Sequence, residues 1–204
     1  MTIEVKTFTT APLANNNYVV IDSVSHEALL IDCSGRLDEV MNYVQSQGAT
    51  LKYILLTHGH FDHVMGVNYF KEKYRIPTYI AKEDQCQLEG INDYLKWMHI
   101  PSVEVPEVAG YLNEIQPKLG DHVIQVIKTP GHTDGSVCYL IDHMLFSGDT
   151  LFKGSYGRTD FPGGDEQKIH ESLKHLFEML PDDVVVYPGH ESSTTIGAER
   201  KLYK

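Results

Sequence analysis

The sequence predicts an α+β protein in which mixed β-sheets are covered by helices on their outer faces. Three observations lead there. Runs of strand character outnumber helical ones. Segments of helical spacing fall between groups of strands rather than alternating with them one for one. Four apolar strands each run directly into a glycine-containing turn that carries histidine or aspartate.

Taken in order, the chain opens with β-type runs at 3–8, 18–22 and 28–32, rich in Val, Ile, Leu and Tyr. Turn residues such as Asn15, Asn16 and Asn17 separate them. Residues 36–47 place Leu37, Val40, Met41 and Val44 at helical spacing, with Ser34 as a cap and Gly48 as a stop. A compact apolar strand at 51–56 leads into the first histidine run. A helix over 64–74 aligns Val64, Val67, Phe70 and Tyr74, and a short strand follows at 78–81 after Pro77. Segment 84–117 differs in character. Leu88, Ile91, Leu95 and Met98 predict a helix, Pro101 and Pro106 break it, and Tyr94, Trp97 and Tyr111 make it aromatic. Strands resume at 123–128, 137–141 and 144–147. A helix with Ile169, Leu173, Leu176, Phe177 and Leu180 inward ends before Pro181, and the last strong strand is 184–187.

A chain of 204 residues suits a single domain spanning 1–204. Its net charge of −11 argues against a nucleic-acid groove, which needs clustered Lys and Arg to neutralise phosphates. Cys33, Cys86 and Cys138 are scattered and odd in number, so they read as reduced thiols rather than as a disulfide framework or a zinc knuckle. The first ten residues show strand alternation instead of a basic stretch followed by an apolar core. No apolar run is long enough to span a bilayer, so a cytoplasmic location and no membrane partner are expected.

The chemistry gathers at strand ends. The strand at 51–56 precedes Thr57-His58-Gly59-His60-Phe61-Asp62-His63, and the strand at 123–128 precedes Thr129-Pro130-Gly131-His132. The strand at 144–147 precedes Gly148-Asp149, and that at 184–187 precedes Pro188-Gly189-His190. Strand ends on a rigid scaffold hold reactive side chains in fixed positions. In an extended segment, residues at i and i+2 project to one side, so His58 and His60 can bind one ion together. Asp62 and His63 follow where the chain turns into a helix, so they point elsewhere and can serve a second. Imidazole and carboxylate together suit zinc, iron and related metals, with a position left for water. Standing alone, Asp149 would read as a turn former or a helix cap. His26, His99, His122, His143, His170 and His175 read as surface or hydrogen-bonded residues, and Asp134 and Glu191 as supporting or capping groups.

These four motifs, in this order and spacing from about Phe8 to His190, resemble the metallo-β-lactamase superfamily. The resemblance implies a four-layered αββα sandwich with metals at one edge between the sheets. It assigns His58, His60 and His132 to a first metal, and Asp62, His63 and His190 to a second, with Asp149 bridging. Two divalent cations are implied, zinc foremost, with iron and manganese sharing the same ligand preferences. Asp62 and Asp149 take the catalytic roles, Asp62 orienting the nucleophile and Asp149 fixing the metal separation.

Within the superfamily, Leu151-Phe152 and Gly157-Arg158-Thr159-Asp160 are similar to the glyoxalase II group, the hydroxyacylglutathione hydrolases and their shorter single-domain relatives. Arg158 matches a basic residue of that group, whereas Asp160 stands near a Tyr that contacts glutathione there. The C-terminal helical region typical of the longer enzymes does not follow His190. The resemblance therefore implies a small-molecule thioester substrate, S-acyl glutathione or similar, with Tyr156, Arg158 and Asp160 as its contacts. Persulfide dioxygenases are the second related group. They use one iron on the equivalents of His58, His132 and Asp149, but here the loop continues Phe161-Pro162-Gly163-Gly164 without their usual Gln. A non-enzymatic metal-binding protein is the third reading. Segment 84–117 is expected to set specificity or to form a contact with a second copy of the chain.

Overall fold

The computed structural model describes residues 2–203. Two sheets stack face to face. The first has the order β1 (Ile3–Thr10), β2 (Asn15–Asp22), β3 (Glu27–Ile31), β4 (Thr50–Leu55), β5 (Thr78–Ile80) and β6 (Gly110–Tyr111). Its β1–β3 meander is antiparallel, and β3 to β6 run parallel. Parallel neighbours need crossover connections, and these bring helices onto one face: α1 (Asp38–Ser46), α2 (Phe61–Val64), α3 (Val67–Tyr74), α4 (Gln85–Glu89) and α5 (Ile91–Trp97). A small antiparallel pair, β7 (Lys118–Leu119) and β8 (His122–Val123), leads to the second sheet. That sheet is built from β9 (Gln125–Lys128), β10 (Val137–Ile141), β11 (Met144–Gly148), β12 (Val185–Pro188) and β13 (Thr194–Thr195), in the order β13-β12-β11-β10-β9. Helices α6 (Glu166–Met179) and α7 (Ile196–Arg200) cover its far face.

The period-2 alternation of the strands explains why there are four layers. On β2, Val19 and Ile21 pack toward the first helical layer, while Tyr18 and Val20 face the other sheet. On β10, Val137, Tyr139 and Ile141 face the first sheet, while Cys138 joins Ile169, Leu173 and Leu176 under α6. Both faces of the central strands are thus apolar, and three separate clusters fill the spaces between layers. The expected αββα sandwich is the observed architecture.

Several local expectations are corrected. Asn15, Asn16 and Asn17 do not form a turn; they are the buried first residues of β2. Two of the amides find internal partners: Asn16 donates to the carbonyls of Pro188 and Glu191, and Asn17 accepts from the backbone and hydroxyl of Ser34. Ser34 is therefore occupied and does not cap α1, which begins after Leu37. The helix expected over 64–74 is interrupted at Gly66, where a Cβ would stand 2.2 Å from the Gly35 carbonyl. The Gly66 amide donates to the Cys33 carbonyl at 2.8 Å instead of continuing the helix ladder, and the close passage of that loop leaves room only for glycine. Helical character after residue 84 divides at Gly90 into α4 and α5. The strand expected at 123–128 splits because Val123 pairs with β7 before β9 joins the second sheet. The short β6, β13 and α7 carry no strong periodicity and were not expected.

Candidate metal centre

Backbone trajectory places the histidine run. β4 ends at Leu55, and His60, itself extended (φ −68°, ψ 148°), leads the chain into α2. His58 and His60 therefore reach one side, and Asp62 and His63 ride the first turn of the helix. His132 follows β9, Asp149 follows β11 and His190 follows β12. All seven residues meet at one edge of the sandwich. Three groups have ligand atoms within 4.8 Å of one another: His58, His60 and His132; His58, His63 and Asp149; and Asp62, His63 and His190. Asp149 sits between the sides, its Oδ1 lying 3.4 Å from His63 Nε2 and its Oδ2 3.5 Å from both His132 Nε2 and His190 Nε2.

The hydrogen-bond network assigns which imidazole nitrogen faces the cluster. His132 Nδ1 donates to the Arg158 carbonyl at 2.7 Å, and His190 Nδ1 donates to the Leu13 carbonyl at 3.1 Å. His63 Nδ1 donates to Asp32 at 2.8 Å. Thr57 gives its hydroxyl proton to Asp32, so its oxygen accepts from His58 Nδ1 at 3.1 Å. Each of these rings is oriented so that Nε2 faces the cluster, the arrangement metal-binding histidines use once that nitrogen is free of its proton. His60 turns the other way, with Nδ1 facing His132 Nε2 at 2.8 Å.

The donor set fits divalent cations. Nε2 of His58 and Oδ1 of Asp149 are buried without a hydrogen-bond partner, and an orphaned buried polar atom is costly unless something else satisfies it. Glycines make the crowding tolerable. A Cβ at Gly189 would lie 2.2 Å from Asp149 Oδ1, and one at Gly157 would lie 2.9 Å from His132 Nδ1.

The comparisons with known proteins agree with this geometry. The sequence profile described as "Metallo-beta-lactamase superfamily" matches residues 11–190. The chain belongs to this superfamily. The hydroxyacylglutathione hydrolase GloC of Haemophilus influenzae is 31% identical over 180 residues, covering 85% of this chain and 84% of its own. The crystal structure of the BLEG-1 B3 metallo-β-lactamase superposes with a TM-score of 0.87 at 31% identity, covering 97% of both chains. The protein TTHA1623, solved in a di-iron-bound form, gives a TM-score of 0.85 at 33% identity, covering 97% of this chain and 98% of that one. Metallo-β-lactamase folds bind divalent metals, and their chemistry is mostly hydrolytic.

Electrostatics divide the superfamily site in two. Burial pushes the His60 imidazolium down to about 3 and holds His58 well below its usual range, so both are neutral. Burial also disfavours a charged His63, but Asp32, Asp149 and Asp62 outweigh it and raise its pKa. His190 rises to about 10, because hydrogen bonds to Asp149 and Asp62 overcome its burial. Asp149, although buried, is held well below the carboxylate range by His63 and His190.

Of the expected substrate contacts, Arg158 and Asp160 line the cavity beside the cluster. They face each other, with Arg158 Nε 2.6 Å from Asp160 Oδ1 and the second nitrogen 2.7 Å from Oδ2. Tyr156 is corrected. Its ring packs on His170 and Tyr203 against the α6 cluster, and it lines neither cavity at the cluster. Gly157 lies between this packed tyrosine and Arg158. Asp134 pairs with Lys168 at 2.8 Å, and Glu191 adopts a positive φ of 70° with its carbonyl accepting from Asn16.

Sequence reasoning missed Asp32 and Asp84. Asp32 accepts from Thr57 and His63, and Asp84 accepts from the amides of Gly59 and Gly135 and from the Thr133 hydroxyl. Asp32 had a signal: like Asp149, it is an acid at the end of an apolar strand. Asp84 had none, since only the tertiary fold brings it beneath both histidine loops.

Proposed function

We propose that this protein is a metal-dependent hydrolase that cleaves a thioester. The observation that carries the reading is the convergence of seven donor side chains at one edge, with Nε2 of His58 and Oδ1 of Asp149 buried and unpartnered. In this reading His58, His60 and His132 hold one cation, Asp62, His63 and His190 hold another, and Asp149 touches both. Divalent cations there would supply the Lewis acidity that makes water nucleophilic near neutral pH and stabilises charge on a carbonyl oxygen.

The chain's own groups do the positioning. Asp62 Oδ2 lies 3.3 Å from His190 Nε2, at the mouth of the cluster, where its carboxylate can accept a proton from attacking water and hold that water's orientation. Apolar walls from Phe61, Phe152 and Phe161 surround the cleft and limit bulk water, which strengthens every charge interaction inside. Water adds to the acyl carbon, the carbon–sulfur bond breaks, and an acid and a thiol leave. A thiolate is a good leaving group and departs without a strong general acid. The 31% identity to a hydroxyacylglutathione hydrolase across most of both chains supports thioesters as the class.

Elemental analysis of protein purified without added metal, followed by hydrolysis of a thioester panel including S-lactoylglutathione, tests the reading. Two metals per chain with thioester turnover is the expected result. One iron per chain with oxygen uptake on persulfides would replace it with a dioxygenase, and full metal with no turnover would make the protein a binding protein.

A further inference from the structure

A cavity of about 800 Å³ opens beside the cluster, next to a smaller cleft of about 380 Å³ over the donor atoms. The two share His60, Phe61, Tyr94, Arg158 and Phe161, so a molecule whose reacting carbon sits at the cluster extends directly into the larger space. Such a volume suits an organic group rather than a few waters.

Its walls are aromatic and held at right angles. Tyr94 and Phe161 meet edge to face, 5.1 Å between centroids and 80° between planes, and Trp97 meets Phe161 at 6.1 Å and 79°. Tyr94 also lies nearly parallel to the His60 ring, 6.1 Å away. Trp97 is 68% exposed, an apolar surface left uncovered at the rim. Trp97 leaves surface uncovered for a ligand, and aromatic rings prefer another flat apolar group in offset or edge contact.

Charge narrows the occupant. Arg158 is the single basic residue of the lining, and it is already matched by both oxygens of Asp160 and stacked 3.7 Å over Phe161. Asp134 is matched by Lys168, and Asp93 stands exposed at the rim. Among the described residues lining the space no cation is unmatched, whereas the two carboxylates of a glutathione moiety are held most strongly by unmatched Lys or Arg.

We infer that this cavity receives one arm of the substrate, and that the arm is an uncharged aromatic group rather than glutathione. The inference rests on the thioester reading above and narrows it. Trp97 and Phe161, which meet edge to face, are the specificity-determining residues and form one aromatic wall against which the arm packs. Arg158, tied to Asp160, serves as a wall.

Trp97 is the sole tryptophan of the chain, so its emission reports on the cavity directly. Metal-loaded protein is titrated with S-benzyl-N-acetylcysteamine, a neutral aromatic thioether, and with S-methylglutathione. The expected result is a Trp97 emission change with a Kd at least about tenfold tighter for the benzyl thioether, a difference of ~1.4 kcal/mol. In parallel, kcat/KM is measured for the phenylacetyl and acetyl thioesters of N-acetylcysteamine and for S-lactoylglutathione. The phenylacetyl thioester is expected to be preferred, and Trp97→Ala to lower the phenylacetyl-to-acetyl ratio about tenfold. Phe161→Leu, which keeps an apolar side chain there, is expected to lower that ratio in the same direction. Equal or tighter binding of S-methylglutathione, preferred turnover of S-lactoylglutathione, or an unchanged ratio in both variants would overturn the inference. Benzyl thioether binding without turnover of any thioester would instead overturn the hydrolase reading and leave the cavity's preference standing.

Discussion

The two sides of the metal centre share a wall but are prepared differently. His58 and His60 are kept neutral by burial, and the ring orientation of His132 is fixed by a backbone carbonyl. Across the cluster, His63 and His190 lie among Asp32, Asp62 and Asp149, which favour protonated imidazoles. On the first side a cation meets two imidazoles that carry no extra proton to displace. The other balances its carboxylates with protons that a cation must displace. Metal binding on the second side should be linked to proton release, and on the first side far less so.

In the proposed assignment Asp149 is the one residue common to both sides, so its replacement should produce the largest effect. Asp149→Ala removes a donor from both proposed sites and leaves His63 and His190 with less negative charge to face. Elemental analysis should find less than one metal per chain, and turnover should fall to the uncatalysed background. Retention of two metals would break the assignment of Asp149 as the bridge. The single-side variants sharpen the contrast. His60→Ala should empty the three-histidine side and His190→Ala the carboxylate side, so each should retain about one metal per chain. Calorimetric titration with zinc then separates the sides by proton release, read in two buffers of different ionisation heat.

A pH series on metal-stripped protein tests the same contrast without activity. The folded value of His190 lies near 10, above the ordinary imidazole value of 6.5. Its contribution to stability is thus fully present below pH ~6.5 and is lost as pH rises toward 10. His63 shifts in the same direction. Chelated protein should show a Tm that declines across this window. Metal-loaded protein should hold its Tm there, because cations take over the balancing of the carboxylates. A Tm of chelated protein that is flat from pH 6.5 to 10 would remove the proton-balanced picture of the second side.

How much of this was legible before the structure differs between the cluster and the cavity. The gathering of the seven candidate donors was legible because the four turns that carry them each follow an apolar strand, and strand ends in a packed sandwich converge on an edge. The layers were legible for a related reason: β2 and β10 bury both faces, which residues 18–22 and 137–141 show as near-continuous apolar runs. Asn15, Asn16 and Asn17 were misread because three consecutive asparagines favour turns locally. Only the tertiary fold supplies the carbonyls of Phe8, Pro188 and Glu191 that satisfy Asn16 and Asn17 inside a strand. Segment 84–117 announced itself as aromatic, but nothing local shows that Tyr94 and Trp97 face Phe161, more than sixty residues later. Tyr156 was misassigned for the converse reason. Nearness in sequence to Asp149 does not say which way a side chain points across Gly157.

The carboxylates beneath the ligands provide the finest test of the two-sided picture. Asp32 supports the carboxylate side by orienting His63, while Asp84 supports the histidine side by holding the amide of Gly59, between His58 and His60, and the hydroxyl of Thr133, beside His132. Asparagine is nearly isosteric with aspartate but replaces one acceptor with a donor. In Asp84→Asn, one of the amides of Gly59 and Gly135, each now 2.7 Å from a carboxylate oxygen, would face an NH2 group. An unsatisfied buried donor costs roughly 1–3 kcal/mol, so a modest loss of Tm is expected. Supporting residues of this kind typically change metal affinity about 10- to 100-fold. In a zinc titration, Asp84→Asn should weaken the step with little proton release, and Asp32→Asn the step that releases protons. If both variants weakened both steps equally, the cluster would behave as one unit and the division into two sides would fail.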